Sequence, residues 1–231
     1  MNAPSPVTVT SLSGGLDSTV LLARLLAKHG REAVRPVFFR YPSKHNAWEE
    51  SAAEKVAAYY AVSLTVFDLT LPFSHMRSGL LLSDERPIPR AEYDAATMAT
   101  TVVPGRNLIF ASFMAAFAES IGAGEIALAV HSGDHHLYPD CRPAFTEALA
   151  TVVARGTDGS VKVATPFVHK TKAELVAEGL ALRAPLHLTR SCYANREKSC
   201  GVCGTCAERL AAFAANGVTD PVPYDPPGPE K

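Results

Sequence analysis

The chain has 231 residues, enough for one large α/β domain with a buried core or for one domain with a small appendage. Its formal net charge is -1 and it contains no run of Lys and Arg, which argues against general nucleic-acid binding and favours a small-molecule substrate. The first six residues lack the basic and apolar regions of a signal peptide, and no apolar run approaches the ~20 residues that cross a bilayer. We therefore expect a cytoplasmic protein that does not associate with membranes.

Short apolar segments alternate along the chain with segments of helical periodicity. This alternation is typical of a parallel sheet covered by helices on both faces, and we expect a Rossmann-like α/β fold. Strands are predicted over 7–12, 34–39, 63–69 and 125–131, with a short strand ending at Pro166, and helices up to about His29 and over about 47–60, 108–121, 142–155 and 172–179.

Two segments show no clear periodicity. Residues 71–100 contain scattered Pro, Ser, Asp and Arg and are predicted to form a long loop or lid. The residues after Val222 are rich in Pro and are predicted to be disordered. The predicted organisation is an α/β domain over 1–185, a cysteine-rich segment over 186–215 and a Pro-rich tail over 216–231.

A glycine pair lies between the first predicted strand and the first predicted helix. Gly14 and Gly15 permit a tight turn in which backbone amides approach an anion, and the helix directs its N-terminal N–H groups to the same place. Hydroxyl groups of Ser13, Ser18 and Thr19 add donors, so the turn is suited to phosphate oxygens. The loop lacks the Lys-Ser/Thr ending of a Walker A motif. The alternative is a glycine turn with a purely structural purpose.

Asp17 lies within the same turn. A carboxylate does not contact phosphate favourably, so Asp17 is expected to cap the helix, to bind Mg²⁺ or to fix the loop.

Four of the five cysteines lie within fifteen residues of one another. Tetrahedral Zn²⁺ takes four thiolates, and Gly201 and Gly204 permit the tight turns that bring the sulfurs together. In a reducing compartment this spacing argues for a metal site over disulfides. We expect a closed, structural zinc site, with an iron–sulfur cluster as the alternative. The ligands would be Cys192, Cys200, Cys203 and Cys206, whereas Cys141 stands apart and is expected to be a packing residue.

The string SGGLDST after an apolar strand resembles the signature of the PP-loop ATP pyrophosphatases. Further motifs are VPGRN at 103–107, YPDCRP at 138–143, TP at 165–166, TKAE at 171–174 and LTRSCY at 188–193. With these motifs the chain is similar to the 7-cyano-7-deazaguanine synthase family over about 7–209.

The resemblance implies a HUP-type fold and an ATP-dependent C–N ligase. In this family 7-carboxy-7-deazaguanine is adenylated, ammonia displaces AMP to give an amide, and a second adenylation leads to the nitrile used for queuosine. ATP, Mg²⁺ and Zn²⁺ are the implied cofactors, and a homodimer is the implied assembly.

The resemblance also implies the site residues. Catalysis would involve Ser13, Asp17, Arg106 and Lys172. The residues that would contact ATP are Leu12, Ser13, Gly14, Gly15, Leu16, Asp17, Ser18, Thr19 and Arg106. The residues that would contact the substrate are Tyr41, His45, Asp134, Tyr138, Asp140 and Arg142.

Three of these residues also have simpler explanations. Arg106 suits a phosphate or carboxylate, but a surface arginine after a Pro-Gly turn is the alternative. Lys172 is predicted in the first turn of a helix, where a solvated lysine is common. Asp140 follows a predicted strand, where ligands bind in open α/β sheets, but it is also placed to be the N-cap of the next helix.

Several residues near the implied substrate pocket depart from the family pattern. Arg40 replaces an acid, Pro42 replaces a glycine, His135 precedes a changed pair at 136–137, and Arg190 replaces an aromatic residue. Neutral drift is one explanation. The alternative function is ligation of the adenylated deazaguanine carboxylate to an amine, such as the N-terminus, of a partner protein in antiviral defence. A PP-loop enzyme that acts on tRNA and a non-catalytic zinc-bearing module are more distant alternatives.

Overall fold

The structure is a computed structural model that describes residues 7–86, 88 and 98–225. Three parts of the sequence predictions lie outside the described residues. They are the start at 1–6, residues 87 and 89–97 of the predicted lid, and residues 226–231 of the predicted tail.

The strands of the described residues form one five-stranded sheet in which every neighbouring pair is parallel. The chain order reverses between the first and fourth strands, and open α/β sheets bind ligands beside such a reversal, at the carboxyl ends of the strands. The predicted Rossmann-like fold is confirmed. The strands are β1 (Thr8–Ser11), β2 (Val34–Arg40), β3 (Thr65–Asp68), β4 (Glu125–Ala127) and β5 (Lys162–Ala164), in the spatial order β3-β2-β1-β4-β5.

Helices cover both faces of this sheet. Because successive side chains of a strand point to opposite faces, Phe38 packs with Leu21 and Phe213, whereas Phe39 packs with Met114. The helices are α1 (Leu16–His29), α2 (Asn46–Tyr59), α3 (Thr70–Ser74), α4 (Arg106–Ser120), α5 (Pro143–Gly156), α6 (Lys172–Ala181) and α7 (Gly204–Ala215).

Helix α4 belongs to a strongly apolar segment. By length and composition alone, Ala99–Ser120 is long and apolar enough to span a membrane, although polar residues interrupt it. The core helix of a soluble protein can be equally long and apolar. In this structure Ala111, Met114 and Ala118 are buried, and α4 packs against β1 and β4. This packing explains part of the apolar character.

Part of the segment 71–100 is more regular than predicted. Phe73 of α3 is fully buried, and Leu81 is buried and forms an isolated antiparallel bridge with Ser43. These anchors lie in a stretch whose apolar residues show no regular period. Their burial depends on contacts that are distant in sequence, so local periodicity does not reveal it.

The predicted strand over 125–131 is wrong beyond Ala127, where β4 ends. Leu128 donates one further backbone hydrogen bond to Ala164, and the chain then turns into a short 3-10 helix at Ser132–Asp134. The edge strand β5 itself ends at Ala164, so the pairing of β4 with β5 does not continue.

The predicted disorder after Val222 is wrong for residues 223–225. Tyr224 forms a bridge with Ser199 and donates a 2.6 Å hydrogen bond to Asp220. Asp220 in turn forms a buried ion pair with Arg209 of α7 at 2.7 Å. These contacts order the beginning of the tail despite its proline content. The division of the chain at residues 185 and 215 stays a prediction.

Candidate active site

A cavity lies at the carboxyl ends of β1, β2 and β4. It is where the topology of the sheet predicts a ligand. The predicted site residues that line it are Leu12, Ser13, Gly15, Leu16, Asp17, Ser18, Tyr41, Arg106, Asp134, Tyr138 and Lys172. Among the described residues, the predicted site residues outside its lining are Gly14, Thr19, His45, Asp140 and Arg142.

The glycine loop has a backbone that requires Gly14. Its φ is +77°, and a Cβ atom there would lie 2.5 Å from the backbone oxygen of Glu49 and 2.6 Å from the backbone nitrogen of Ala53. The loop therefore packs directly on α2. Ser13 Oγ accepts a 3.3 Å hydrogen bond from the Gly15 N–H group and lies 3.1 Å from Ser18 Oγ. These bonds hold the turn at the start of α1.

Asp17 pairs with Lys172 across the cavity wall. Lys172 Nζ donates to both carboxylate oxygens of Asp17, at 2.7 and 3.0 Å. Burial raises the pKa of Asp17, but the charges of Lys172 and His131 outweigh burial and hold it below its usual value. The N-cap of α1 is Gly15, so Asp17 does not cap the helix. Three roles were considered for Asp17. The ion pair with Lys172 supports the last of them, in which Asp17 holds the glycine loop in place.

His131 and Glu208 complete this charged cluster, and the sequence did not identify either residue. His131 is 1% exposed, and its Nε2 atom lies 3.1 Å from Lys172 Nζ and 3.4 Å from Asp134 Oδ2. Glu208 of α7 lies 3.4 Å from Lys172 Nζ. His131 lies shortly after β4, and this position could have identified it as a candidate site residue. Glu208 is brought in by a helix distant in sequence, so no local signal marked it.

The predicted Mg²⁺ ion does not fit Asp17 as the residue is placed, because both oxygens already accept from Lys172. Carboxylate oxygens are suitable Mg²⁺ ligands, and Asp134 and Glu208 line the same cavity. These two residues have the donor chemistry for the ion, and Mg²⁺ stays a prediction.

The other end of the cavity is aromatic. Arg106, the first residue of α4, lies there and donates a 3.4 Å hydrogen bond to the hydroxyl group of Tyr41. The hydroxyl oxygens of Tyr138 and Tyr193 are 3.5 Å apart. A guanidinium group surrounded by rings can bind an anion and a flat heterocycle side by side. Arg106 is therefore part of the cavity wall, as the family resemblance implies.

Asp140 stabilises the start of α4, the helix that begins with Arg106. Its Oδ2 atom accepts a 2.9 Å hydrogen bond from the backbone N–H group of Asn107, in the first turn of α4. The N-cap of α5 is Arg142, so the alternative that Asp140 caps the following helix is wrong. Asp140 instead accepts a hydrogen bond from a backbone N–H group at the N-terminus of α4. No sequence pattern indicates this bond, because 33 residues separate donor and acceptor.

We expect Asp140→Ala to lower the free energy of unfolding by about 1 kcal/mol, as the loss of a helix-capping carboxylate typically does. Denaturant titration measures this change. Since the helix start carries Arg106, turnover should also fall. If Asp140 contacted substrate without capping α4, turnover would fall and stability would not.

Arg142 and His45 lie close to the cavity without lining it. Arg142 Nε donates a 2.8 Å hydrogen bond to the backbone oxygen of His135. His45 is buried at the start of α2, with its ring 5.0 Å from that of Tyr193. Burial lowers the pKa of His45 to about 3, so the ring is neutral at physiological pH. Their predicted contacts with substrate stay predictions.

Glu49 is a further cavity residue that the sequence did not single out. It lies in the first turn of α2, and its carboxylate is 3.6 Å from His45 Nε2. Burial raises the pKa of Glu49 from 4.5 to about 7, although Arg106 and Arg190 oppose the rise. His45 is neutral, so the short distance is not an ion pair. A carboxyl group held near neutrality in a cavity is typical of functional sites.

The raised pKa of Glu49 predicts a pH dependence of stability. Between pH 4.5 and about 7 the folded chain retains a proton that the unfolded chain loses, so the free energy of unfolding falls as pH rises through this window. Glu49→Gln removes this dependence. We expect the variant to be more stable than the unchanged chain at pH 8, by the order of 1–3 kcal/mol, and equally stable near pH 4. Urea titrations at the two pH values measure the difference.

The residues that depart from the family pattern have structural partners. Arg40 forms ion pairs with Glu50 and Asp68 and does not line the cavity. Arg190 does line the cavity, but its guanidinium donates to three backbone oxygens in 194–197 and its backbone N–H group donates to Gly14 at 2.7 Å. Arg190 therefore joins the glycine loop to the cysteine-rich segment.

The four clustered cysteines converge on one point. Their Sγ atoms all lie within 4.8 Å of one another, and those of Cys200 and Cys206 are 4.0 Å apart. Tetrahedral Zn²⁺ with Zn–S bonds of about 2.3 Å separates its sulfurs by about 3.8 Å. An iron–sulfur cluster spreads its thiolates over several irons and hence further apart. The donor set fits one tetrahedral ion, for which Cys192, Cys200, Cys203 and Cys206 would be the ligands, and zinc stays a prediction.

The sequence matches a known family and named relatives. A model of the family described as queuosine biosynthesis protein QueC matches residues 7–217. The 7-cyano-7-deazaguanine synthase of Marinomonas sp. (strain MWYL1) is 42% identical over 217 residues, which cover 94% of this chain and 97% of the relative. The 7-cyano-7-deazaguanine synthase of Chromohalobacter salexigens is 41% identical over 216 residues, covering 94% of this chain and 85% of the relative.

Among solved structures, the U34-tRNA thiolase NcsA from Methanococcus maripaludis has a TM-score of 0.47 at 14% identity, covering 83% of this chain and 62% of that chain. The family assignment depends on the sequence matches and not on this distant similarity. Those matches confirm the predicted family resemblance and the predicted class of enzyme. The chain belongs to the queuosine biosynthesis protein QueC family.

Proposed function

We propose that this chain uses ATP to activate 7-carboxy-7-deazaguanine and amidates it with ammonia, in the cytoplasm, on the way to 7-cyano-7-deazaguanine. The observation that carries the proposal is a single cavity with the glycine loop on one wall and Arg106 among tyrosines on another. ATP and a flat, anionic heterocycle would meet there. The names of the relatives, 7-cyano-7-deazaguanine synthases, support the proposed product.

The chain's own groups suit the two partners. Amides at the start of α1 would hold the terminal phosphates of ATP, and Lys172 would add positive charge beside them. Arg106 would orient the carboxylate toward the α-phosphorus, while Tyr41, Tyr138 and Tyr193 would pack around the ring. Catalysis of this kind depends chiefly on position and on neutralisation of charge.

The proposed reaction has two similar halves. A carboxylate oxygen bonds to the α-phosphorus and pyrophosphate leaves, giving an acyl adenylate. Ammonia then bonds to the acyl carbon and AMP leaves, giving the amide. In the second half the amide oxygen bonds to the α-phosphorus of another ATP and pyrophosphate leaves, and loss of two N–H protons and of AMP then gives the nitrile. Mg²⁺ would neutralise phosphate charge, and Zn²⁺ would stabilise the cysteine-rich segment without joining the chemistry.

Incubation with 7-carboxy-7-deazaguanine, ATP and ammonium tests this function. Mass spectrometry should show the amide and then the nitrile, with AMP formed in step, and no product should form without ATP. Absence of AMP with the carboxylate substrate contradicts the proposal. The alternative, ligation to an amine of a partner protein in antiviral defence, predicts instead a mass increase on a co-expressed protein and no free nitrile.

We also propose that the chain acts as a homodimer, as the family resemblance implies. An apolar surface supports this assembly, because Phe113 of α4 is 41% exposed and its ring contacts that of the partly buried Phe67, which in turn contacts Phe117. Sedimentation should give twice the mass of the chain, and Phe113→Glu should shift the mass toward the monomer. A monomeric parent chain at micromolar concentration contradicts the assembly.

A further inference from the structure

Glu49 differs from the other carboxylates of the cavity. Asp17 and Glu208 face Lys172, and Asp134 lies beside His131. Within the part of the chain that the structure describes, the Glu49 carboxylate accepts no hydrogen bond, and its close neighbour is the neutral His45 ring. The group is 18% exposed, toward the cavity that also contains the phosphate loop and Arg106. It is available to a ligand in a way that Asp17, whose two oxygens both accept from Lys172, is not.

The proposed reaction needs such a group. Ammonium, the form of ammonia that dominates at neutral pH, has no lone pair and cannot attack an acyl adenylate until it loses a proton. A base inside the cavity has to take that proton after the adenylate has formed.

We propose that Glu49 is the catalytic base that deprotonates ammonium for attack on the acyl adenylate. This inference rests on the proposed function and adds to it the residue that controls the nitrogen donor. A carboxylate attracts ammonium electrostatically, and one with no other hydrogen bond can accept from it directly.

The other ionisable groups of the cavity are less suited to this role. Asp17 has a lowered pKa and both oxygens engaged by Lys172, which makes it a weak base. The Nδ1 atom of His131 accepts from Gly133 and its Nε2 atom faces the Lys172 ammonium group. Burial raises the pKa of Tyr41 and Cys141, so both remain protonated and have no free base form at neutral pH.

The groups around Glu49 come from each element packed against it. Tyr41 follows β2, His45 precedes α2, Arg106 begins α4, and Arg190 lies in the segment before the cysteines. Burial raises the pKa of Glu49 to about 7 while both arginines act in the opposite direction. A base of this strength accepts a proton from bound ammonium and releases it to water afterwards.

One N–H bond of ammonium breaks and its proton moves to a carboxylate oxygen of Glu49. The nitrogen lone pair forms a bond to the acyl carbon, and the C–O bond to AMP breaks with its electron pair leaving on AMP. The second proton lost by nitrogen goes to the departing phosphate.

Separate assays for the two steps test the inference on the full chain. Exchange of labelled pyrophosphate into ATP, with 7-carboxy-7-deazaguanine and no ammonium, reports adenylation alone. Amide formation with ammonium reports both steps. Hydroxylamine is a nucleophile that is largely unprotonated at neutral pH, so its attack does not need the base. The matched control is Glu54→Gln, which changes an exposed carboxylate on the same helix.

We expect Glu49→Gln to retain pyrophosphate exchange and hydroxamate formation while amide formation from ammonium falls by on the order of 100-fold or more. Glu54→Gln should leave all three rates unchanged. Equal loss of amide and hydroxamate formation, or a raised KM for the deazaguanine in the exchange assay, would overturn the inference and make Glu49 a substrate-binding residue. Absence of exchange in the unchanged chain would instead contradict the proposed function.

Discussion

Gly14→Ala is expected to reduce turnover by on the order of 100-fold or more, because it displaces the loop that would hold the ATP phosphates. The added methyl group would lie 2.5 Å from the Glu49 backbone oxygen, and neither this atom nor the Ala53 nitrogen belongs to a flexible side chain. The positive φ adds strain of about 1–3 kcal/mol, and the overpacking adds about 1–3 kcal/mol. Turnover assays and nucleotide titration measure the loss.

Gly30→Ala is the matched control. Gly30 has nearly the same φ, +79°, but nothing lies within 4 Å of an added Cβ atom. It ends α1 on the side away from the cavity. The control variant therefore carries the backbone strain without the clash, and it should lose stability while retaining turnover per folded molecule. Equal turnover in the two variants would show that close packing of the loop on α2 is not needed.

The sequence predicted those parts of the site that depend on local pattern. Ser13 to Ser18 could be recognised because a phosphate loop needs small residues at fixed spacing between a strand and a helix. The cysteine cluster could be recognised for a similar reason, since four thiolates must converge on one ion. Alternation of apolar segments with helical ones was sufficient to predict the parallel sheet.

The residues that were missed reach the site through the tertiary fold. Glu208 meets Lys172 only because α7 packs against α6, and Asp140 reaches α4 across 33 residues. Glu49 occupies a helical position with no motif of its own. The sequence around Asp140 was compatible with capping of α5, the helix that follows it. Asp140 instead accepts a hydrogen bond from the start of α4, which depends on how α4 and α5 are placed in the fold.

The apolar anchors at Phe73 and Val222 show the same limit for the fold. Each lies in a stretch whose composition favours a loop, yet each is buried, and Phe73 contacts the rings of Tyr41 and Phe110 outside its stretch. Composition describes what a segment does alone, whereas a single buried ring or a buried ion pair such as Arg209–Asp220 can order it within the whole chain.

Replacement of Cys203 by Ser should release the metal and destabilise the chain. Cys203 is both a predicted ligand and the N-cap of α7, and Ser is itself a good N-cap, so the substitution removes the thiolate while it keeps the cap. Metal binding free energy contributes to folding. We expect the metal content to fall from about one ion per chain and the Tm to fall by roughly 10 °C, since each kcal/mol corresponds to about 2–4 °C in a domain of this size.

Cys141→Ser is the matched control for that experiment, because Cys141 is also buried but lies outside the cluster. It should retain its metal, with only a small change in Tm. Elemental analysis identifies zinc, whereas iron with visible absorbance would replace the zinc assignment. Because Thr205 and Glu208 of α7 line the cavity, loss of metal from the Cys203 variant should also weaken nucleotide binding. Unchanged metal content and Tm in that variant would remove Cys203 from the ligand set.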